Sequence, residues 1–209
     1  VKQSPLTRDQ FADLFPMEAG TLDRLAAYLD LLNRWQQRIN LVGNSTLADP
    51  WRRHIHDSAQ LLPYLPPSPA AIVDLGSGAG LPGLVLAIIG GFPVTLVDSD
   101  ARKCAFLREA ARITAAPVTV LNQRIETLPH ASASVVTARA LAPLARLLAP
   151  ISTILRPSGV ALLLKGRAVQ EELTLADKHW KMSITARPSL SDPDGWVLKL
   201  QEIGPRHVP

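Results

Sequence analysis

The stretch Ile72-Val73-Asp74-Leu75-Gly76-Ser77-Gly78-Ala79-Gly80-Leu81-Pro82-Gly83 constrains this chain more than any other. The apolar run from Ala70 to Val73 has the length of a buried strand, and Gly76, Gly78 and Gly80 then fall at alternate positions. Pro82 opens a second apolar run, Leu84 to Ile89, at helical length. Proline suits a first helical turn, where an N–H has no partner to lose. The pattern is strand, tight glycine turn, helix. Glycines let the backbone take positive φ and approach a ligand closely, and the helix start offers unpaired N–H groups.

The spacing selects among ligands. A dinucleotide fingerprint reads G-x-G-x-x-G, but here Leu81 holds the place of its third glycine, and the run reads G-x-G-x-G after Asp74. A pyrophosphate requires the helix N-terminus aimed at it, whereas a zwitterionic amino-acid tail requires an acidic group for its amine, which Asp74 supplies directly or through water. A second strand, Pro93 to Val97, ends at Asp98. That carboxylate lies about twenty residues past the glycines, where ribose hydroxyls are bound in this architecture. The combination is similar to the first motif of S-adenosylmethionine-dependent methyltransferases.

From Ala70 the rhythm stays β then α. Strands are expected at 70–74, 93–97, 118–121, 134–137 and 159–165, with helices at about 82–90, 101–115 and 141–155 between them. Such alternation predicts a mostly parallel twisted sheet covered on both faces, the α/β Rossmann-like arrangement. Residues 184–190 and 196–203 flank the turn Asp192-Pro193-Asp194-Gly195 and read as an antiparallel hairpin at the sheet edge.

Before Ala70 the pattern is helical. Residues 1–20 show no clear period, whereas Leu22, Leu25, Leu29, Leu32 and Ile39 recur at three and four, an amphipathic helix over 21–39. Pro63, Pro66, Pro67 and Pro69 form a stiff linker, so the chain divides into a helical extension, 1–69, and a methyltransferase domain, 70–209. Between them stands Trp51-Arg52-Arg53-His54-Ile55-His56-Asp57-Ser58. It reads equally as a functional cluster or as the first turns of a helix with a solvated charged face. His54 and His56, two apart, cannot share a helix face as metal ligands.

With 209 residues and 47% hydrophobic composition, one full α/β domain plus an extension is affordable. No apolar run reaches the ~18 residues of a membrane span, and no secretory signal is visible. Cys104 is the only cysteine, which excludes an intrachain disulfide and a cysteine metal cage. A cytoplasmic protein, monomeric and metal-free, is the simplest expectation. The net charge of +4 and pI of about 9.6 are compatible with a nucleic-acid partner.

Ligands of open α/β sheets bind beyond the carboxyl ends of the strands. The residues to watch are therefore Gly76 to Leu81, Asp98, then Asn122-Gln123-Arg124-Ile125-Glu126, Arg139 and Lys165. Ile125 and Glu126 read equally as an apolar face and a polar edge partner for an adenine ring or, with Arg124, as the solvated start of a loop. Arg139, an isolated charge between alanines at a strand end, is expected to line the site. Lys165 reads either as a site cation or as a snorkelling strand-end lysine. Absences narrow the chemistry: there is no Asn/Asp-Pro-Pro-aromatic motif after the fourth strand, no Pro-Cys nucleophile and no nucleophile elbow.

In order, Trp35 to Leu41, Arg53 to Ser58, Asp74 to Gly83, Leu96 to Ser99, Phe106-Leu107-Arg108, Arg124 to Glu126, Arg139-Ala140 and Leu164-Lys165-Gly166 resemble the RsmG (GidB) family, bacterial methyltransferases of guanine N7 in 16S ribosomal RNA. The resemblance runs from about residue 20 to 166. It implies S-adenosylmethionine held by Gly76, Gly78, Leu81, Asp98, Ile125, Glu126 and Arg139, and 16S ribosomal RNA or the small subunit as partner. Leu81 replaces a frequent Phe, and Ala101-Arg102-Lys103-Cys104 replaces a more basic run. Guanine N7 has an in-plane lone pair and no proton to lose, so direct in-line attack on the methyl group requires no general base, and no catalytic acid–base residue is assigned. Arg52, Arg53, Arg102, Lys103, Arg108 and Arg139 are the candidate RNA contacts. A small-molecule methyltransferase and a non-catalytic adenosyl-binding regulator are the alternatives.

Overall fold

In the computed structural model, which describes residues 4–206, the sequence forms seven strands and their covering helices. Helix α1 (Arg8–Leu14) lies in the stretch that has no apolar period. What holds so short a helix is a capping box: the Thr7 hydroxyl accepts from the Gln10 amide at 3.2 Å, and the Gln10 side chain accepts from the Thr7 amide at 3.0 Å. Its Phe11 is fully buried beside Trp51. Helix α2 (Thr21–Gln36) stops short of Ile39. The Gln36 carboxamide folds back to accept from the Leu41 and Val42 amides at 2.9 and 3.0 Å, and ends the helix.

A wide π-type turn, Trp51–His56, runs into α3 (Asp57–Ala59). The sheet then begins: β1 (Ile72–Leu75), α4 (Gly83–Gly90), β2 (Val94–Asp98), α5 (Ala101–Thr114), β3 (Val118–Asn122), β4 (Ala133–Arg139), α6 (Leu144–Ile154) and β5 (Leu155–Lys165). Next comes α7 (Val169–Asp177), unforeseen from sequence, then β6 (Trp180–Pro188) and β7 (Trp196–Pro205). The hairpin's first strand therefore starts and ends earlier than the expected 184–190.

The strand order is β3-β2-β1-β4-β5-β7-β6. The first five are parallel, and β7 runs antiparallel between β5 and β6. The direction of winding reverses between β1 and β4, so the loops leaving these strands diverge and open a crevice. Both faces of β1 are buried, as a central parallel strand requires. Ile72 packs with Leu84, Phe106 and the α2 side chains Leu25, Tyr28 and Leu32. Val73 and Leu75, on the opposite face, pack with Leu144, Leu148 and Ile151 of α6. Helix α2 thus shares the core of α4 and α5, and Tyr28 donates to the Ala79 carbonyl at 2.8 Å beneath the glycine turn.

Candidate active site

The glycine turn after β1 is shaped by side chains of both neighbouring strands. Gly76, Gly78 and Gly80 have φ of +61°, +53° and +85°, a region costly for any residue with a Cβ. At Gly76 a Cβ would also meet Leu141 Cδ1 at 2.3 Å. The Ser77 hydroxyl stitches the turn by donating to the Asp74 carbonyl at 3.0 Å and accepting from the Val97 amide at 3.2 Å. Asp98, nearly buried, accepts from the Gly78 amide at 2.9 Å with one oxygen and from the Asp100 amide at 2.8 Å with the other. Each carboxylate oxygen keeps a lone pair for a ligand.

Asp74 is fully buried under the turn. Its Oδ1 accepts from the Thr137 hydroxyl at 2.6 Å, and its Oδ2 has no hydrogen-bond partner among the described residues. Burial pushes its carboxyl up to about 6, against the opposing pull of the Thr137 hydroxyl. The acid expected to meet an amine is therefore covered by backbone, and its charge reaches the crevice as a field or through water rather than by direct contact.

Two cavities open at the carboxyl ends of the strands. The larger, about 480 Å³, is lined by Gly76, Asp98, Ser99, Gln123, Ile125, Glu126 and Leu141, among others. The smaller, about 220 Å³, is lined by residues including Arg53, Asp57, Arg139, Lys165, Asp192 and Trp196. Ala140 lines both. Of the residues singled out from sequence, Gly76, Asp98, Ile125 and Glu126 come together in the larger cavity. Gly78 and Leu81 lie outside its lining, Gly78 tied to Asp98 and Leu81 buried in the core. Arg139 lines the smaller cavity, one residue from their junction.

Arg139 is held by the 51–58 segment, which settles the alternative left open there: the face is an interior one. Arg139 Nη1 donates to Asp57 Oδ2 at 2.8 Å and to the Arg53 carbonyl at 2.9 Å. Its Nη2 lies 3.3 Å from His54 Nδ1. A guanidinium only donates, so Nδ1 is the acceptor and the proton sits on Nε2, 3.2 Å from the Thr46 hydroxyl. Burial, reinforced by the Arg139 charge, pushes His54 down to about 3, so its ring is neutral. Burial likewise lowers His56, whose ring packs against Phe11 and Phe15.

Several functional neighbours escape sequence reading. Gln60, nearly buried, donates to Asp57 Oδ1 and the Ser189 hydroxyl, both at 3.0 Å, and accepts from the Leu190 amide at 2.8 Å. The Ser191 hydroxyl also donates to Asp57 Oδ1. These bonds pin the β6–β7 turn to α3 across some 130 residues of chain. Arg53 pairs with Asp192 at 2.6 Å. Lys165 pairs with Glu172 of α7 at 2.6 Å, and Glu172 also accepts from the Leu144 amide at the start of α6. Lys165 is therefore an ion-paired wall of the smaller cavity. Among the candidate RNA contacts, Arg52, Arg53 and Arg139 are engaged internally. Arg102 and Arg108 are exposed, and Lys103 with the further exposed cations Arg124 and Arg146 borders the larger cavity.

A mostly parallel sheet of this order, with a positive-φ glycine turn after β1 and a carboxylate at the end of β2, defines an S-adenosylmethionine-dependent methyltransferase of the Rossmann-like class. Its backbone resembles a SAM-dependent methyltransferase from Aquifex aeolicus with a TM-score of 0.59 at 15% identity, over 75% of this chain and 95% of that one. The sequence narrows the class. The family model described as rRNA small subunit methyltransferase G matches residues 21–192. The ribosomal RNA small subunit methyltransferase G of Paramagnetospirillum magneticum is 55% identical over 183 residues, covering 88% of this chain and 89% of that protein. The protein of the same name from Rhodospirillum rubrum is 51% identical over 198 residues, covering 95% and 98%. The chain belongs to the rRNA small subunit methyltransferase G family. Among the described residues no helix is long and apolar enough to cross a membrane, and no group of three or more His, Cys, Asp and Glu is placed to hold a metal ion.

Proposed function

We propose that the protein methylates guanine N7 of small-subunit ribosomal RNA, binding S-adenosylmethionine in the larger cavity and the acceptor beside it. The observation that carries this reading is the pair of cavities that share Ala140 in their linings, one built on the glycine turn and the other on the ends of β4 and β5. The donor supplies a methyl group on a sulfonium. The residues of the larger cavity fit it: Gly76 leaves the space that a side chain would fill, Asp98 has lone pairs at ribose height, and Ile125 and Glu126 offer an apolar face and a polar edge. Gly78 and Leu81 act by shaping the turn, and Arg139 stands at the junction.

Guanine N7 carries a lone pair and no proton, so no side chain has to remove one. The chain's work is to hold acceptor and donor in line and exclude water, which contributes roughly 7–11 kcal/mol in favourable cases. The methylated base gains a positive charge, and Asp57 and Glu126, one on each cavity, lie where a carboxylate stabilises it. Half-exposed Lys103 and exposed Arg124 and Arg146 at the larger cavity, with exposed Arg102 and Arg108 on α5, supply phosphate contacts. The same reading carries with it a monomer working in the cytoplasm, with 1–69 as an extension of the methyltransferase unit 70–209.

The test is incubation with methyl-labelled S-adenosylmethionine and small ribosomal subunits from a strain lacking this activity, followed by digestion of the RNA. Label in 7-methylguanosine is expected. Label in another nucleoside, or none, would reject the assignment.

A further inference from the structure

The smaller cavity has a chemistry of its own. At about 220 Å³ it is below the roughly 300–1,000 Å³ of pockets that take drug-sized ligands, so it suits a single heterocycle. Its polar groups are fixed rather than adaptable. Asp57 spends both oxygens on Arg139, Gln60 and Ser191. Gln60 and the Ser189 and Ser191 hydroxyls lock the turn that carries Asp192 against α3.

Asp192 and Arg139 keep capacity for a ligand in this frame, as do the Arg53 and Lys165 donors without a partner among the described residues. Asp192, with its side chain 28% exposed, accepts from Arg53 with Oδ2 and from the Asp194 amide with Oδ1, which leaves a lone pair on each oxygen. Burial tends to raise its carboxyl, but the Arg53 and Asp194 donors outweigh this and hold it below the usual range, so it is ionised. Arg139 has five N–H donors, of which three have partners among the described residues. The half-buried Trp196 lines the same cavity, and an indole is a side chain on which a base stacks.

A guanine matches this set and the other bases do not. It carries adjacent donors, N1–H and the 2-amino group, that pair with one carboxylate, and an O6 acceptor next to the N7 that reacts. Adenine presents an acceptor at N1, where Asp192 would repel it. We propose that the smaller cavity is a guanine-selective base pocket, in which Asp192 accepts from N1–H and the 2-amino group, the spare Arg139 donors meet O6, and the base lies against Trp196. The inference rests on the methyltransferase reading for the identity of the acceptor, and it assigns the residue that selects it.

The test titrates the protein and its Asp192→Asn variant with GMP and with IMP, which differ only in the 2-amino group, in the presence of S-adenosylhomocysteine. A site built to bond that amine discriminates against its absence, so GMP is expected to bind the unaltered protein about tenfold more tightly than IMP. Asp192→Asn should bind the two alike, with S-adenosylhomocysteine affinity and thermal midpoint kept. A merely structural role for Asp192 would not change the ratio of the two ligands. On small subunits the variant should lose about tenfold in kcat/KM. Equal binding of GMP and IMP by the unaltered protein, no binding of either, or an unchanged kcat/KM in the variant would overturn the proposal. Discrimination between GMP and IMP without any methyl transfer to subunits would leave the pocket standing and sink the methyltransferase assignment instead.

Discussion

Asp74→Asn isolates the cost of keeping a charge beneath the glycine turn. Asp74 is fully buried, one of its oxygens has no partner, and its carboxyl is raised from 3.8 to about 6. The folded chain therefore binds more protons than the unfolded chain between these two values. The stability linked to Asp74 is fully present below about pH 4 and is lost as pH rises through about 6. A rise from 3.8 to about 6 corresponds to about 3 kcal/mol. Urea unfolding of both proteins from pH 4 to 7.5 measures this directly. The variant should gain on the unaltered protein by up to about 3 kcal/mol across that range. Any fixed cost of the new amide adds equally at every pH and leaves the difference in slope untouched. Parallel stability curves would refute the reasoning. On the proposed function S-adenosylmethionine brings two cationic groups to the crevice beside this charge, so the variant should also bind S-adenosylhomocysteine, which keeps the ammonium, more loosely.

Gly76→Ala places a Cβ at φ +61° and 2.3 Å from Leu141 Cδ1; calorimetry should show at least about tenfold weaker S-adenosylhomocysteine binding, and unfolding a loss of about 1–3 kcal/mol. His54 stays neutral, so its ring proton resonance should not titrate between pH 5 and 8, and an inflection there would contradict its burial against Arg139. Affinity for small-subunit RNA should fall with salt, and replacing Arg102, Lys103 and Arg124 by Ala should reduce the slope of log K on log salt by about 2. An unchanged slope would remove these three from the RNA surface. Replacing exposed Arg206, which follows β7 and pairs with Asp177 at the end of α7, should leave that slope alone.

Much of this was legible because the signals are local. The strand, glycine and Pro82 order at 72–83 and the acid at the end of β2 are enough to place the crevice, since parallel strands expose their carboxyl ends together. Helix α1 carried a readable cue, Thr7 and Gln10 in capping-box spacing, but its apolar support comes from Trp51 and His56 in another segment. Helix α7 also had a pattern, Val169, Leu173 and Ala176 with Glu171 and Glu172 in the first turn, diluted by polar neighbours. The 51–58 cluster could not be decided locally. Its charges look solvated until Arg139, 82 residues on, and Ser191, 134 residues on, arrive as partners for Asp57.

That last case bears on how the site is built. The crevice beside the glycine turn arises within the βα units, but the wall of the smaller cavity draws on four segments distant in sequence, of which the end of β5 is held by Glu172 and Ala142 and the other three hold one another: Arg53 and Asp57, Arg139, and the turn from Ser189 to Gly195. Each is satisfied only by the others. Remove the residues before Ala70 and Arg139 loses Asp57, the Arg53 carbonyl and His54 together, while the β6–β7 turn loses Gln60. An uncompensated, partly buried guanidinium is costly enough that it would turn to water. The α4 and α5 side chains that pack with Leu25, Tyr28 and Leu32 would be uncovered at the same time. The N-terminal segment thus contributes to the core and to the wall of the smaller cavity, and Tyr28, which bonds the Ala79 carbonyl, also supports the glycine turn, so a chain that lacked this segment would lose support on both cavities at once.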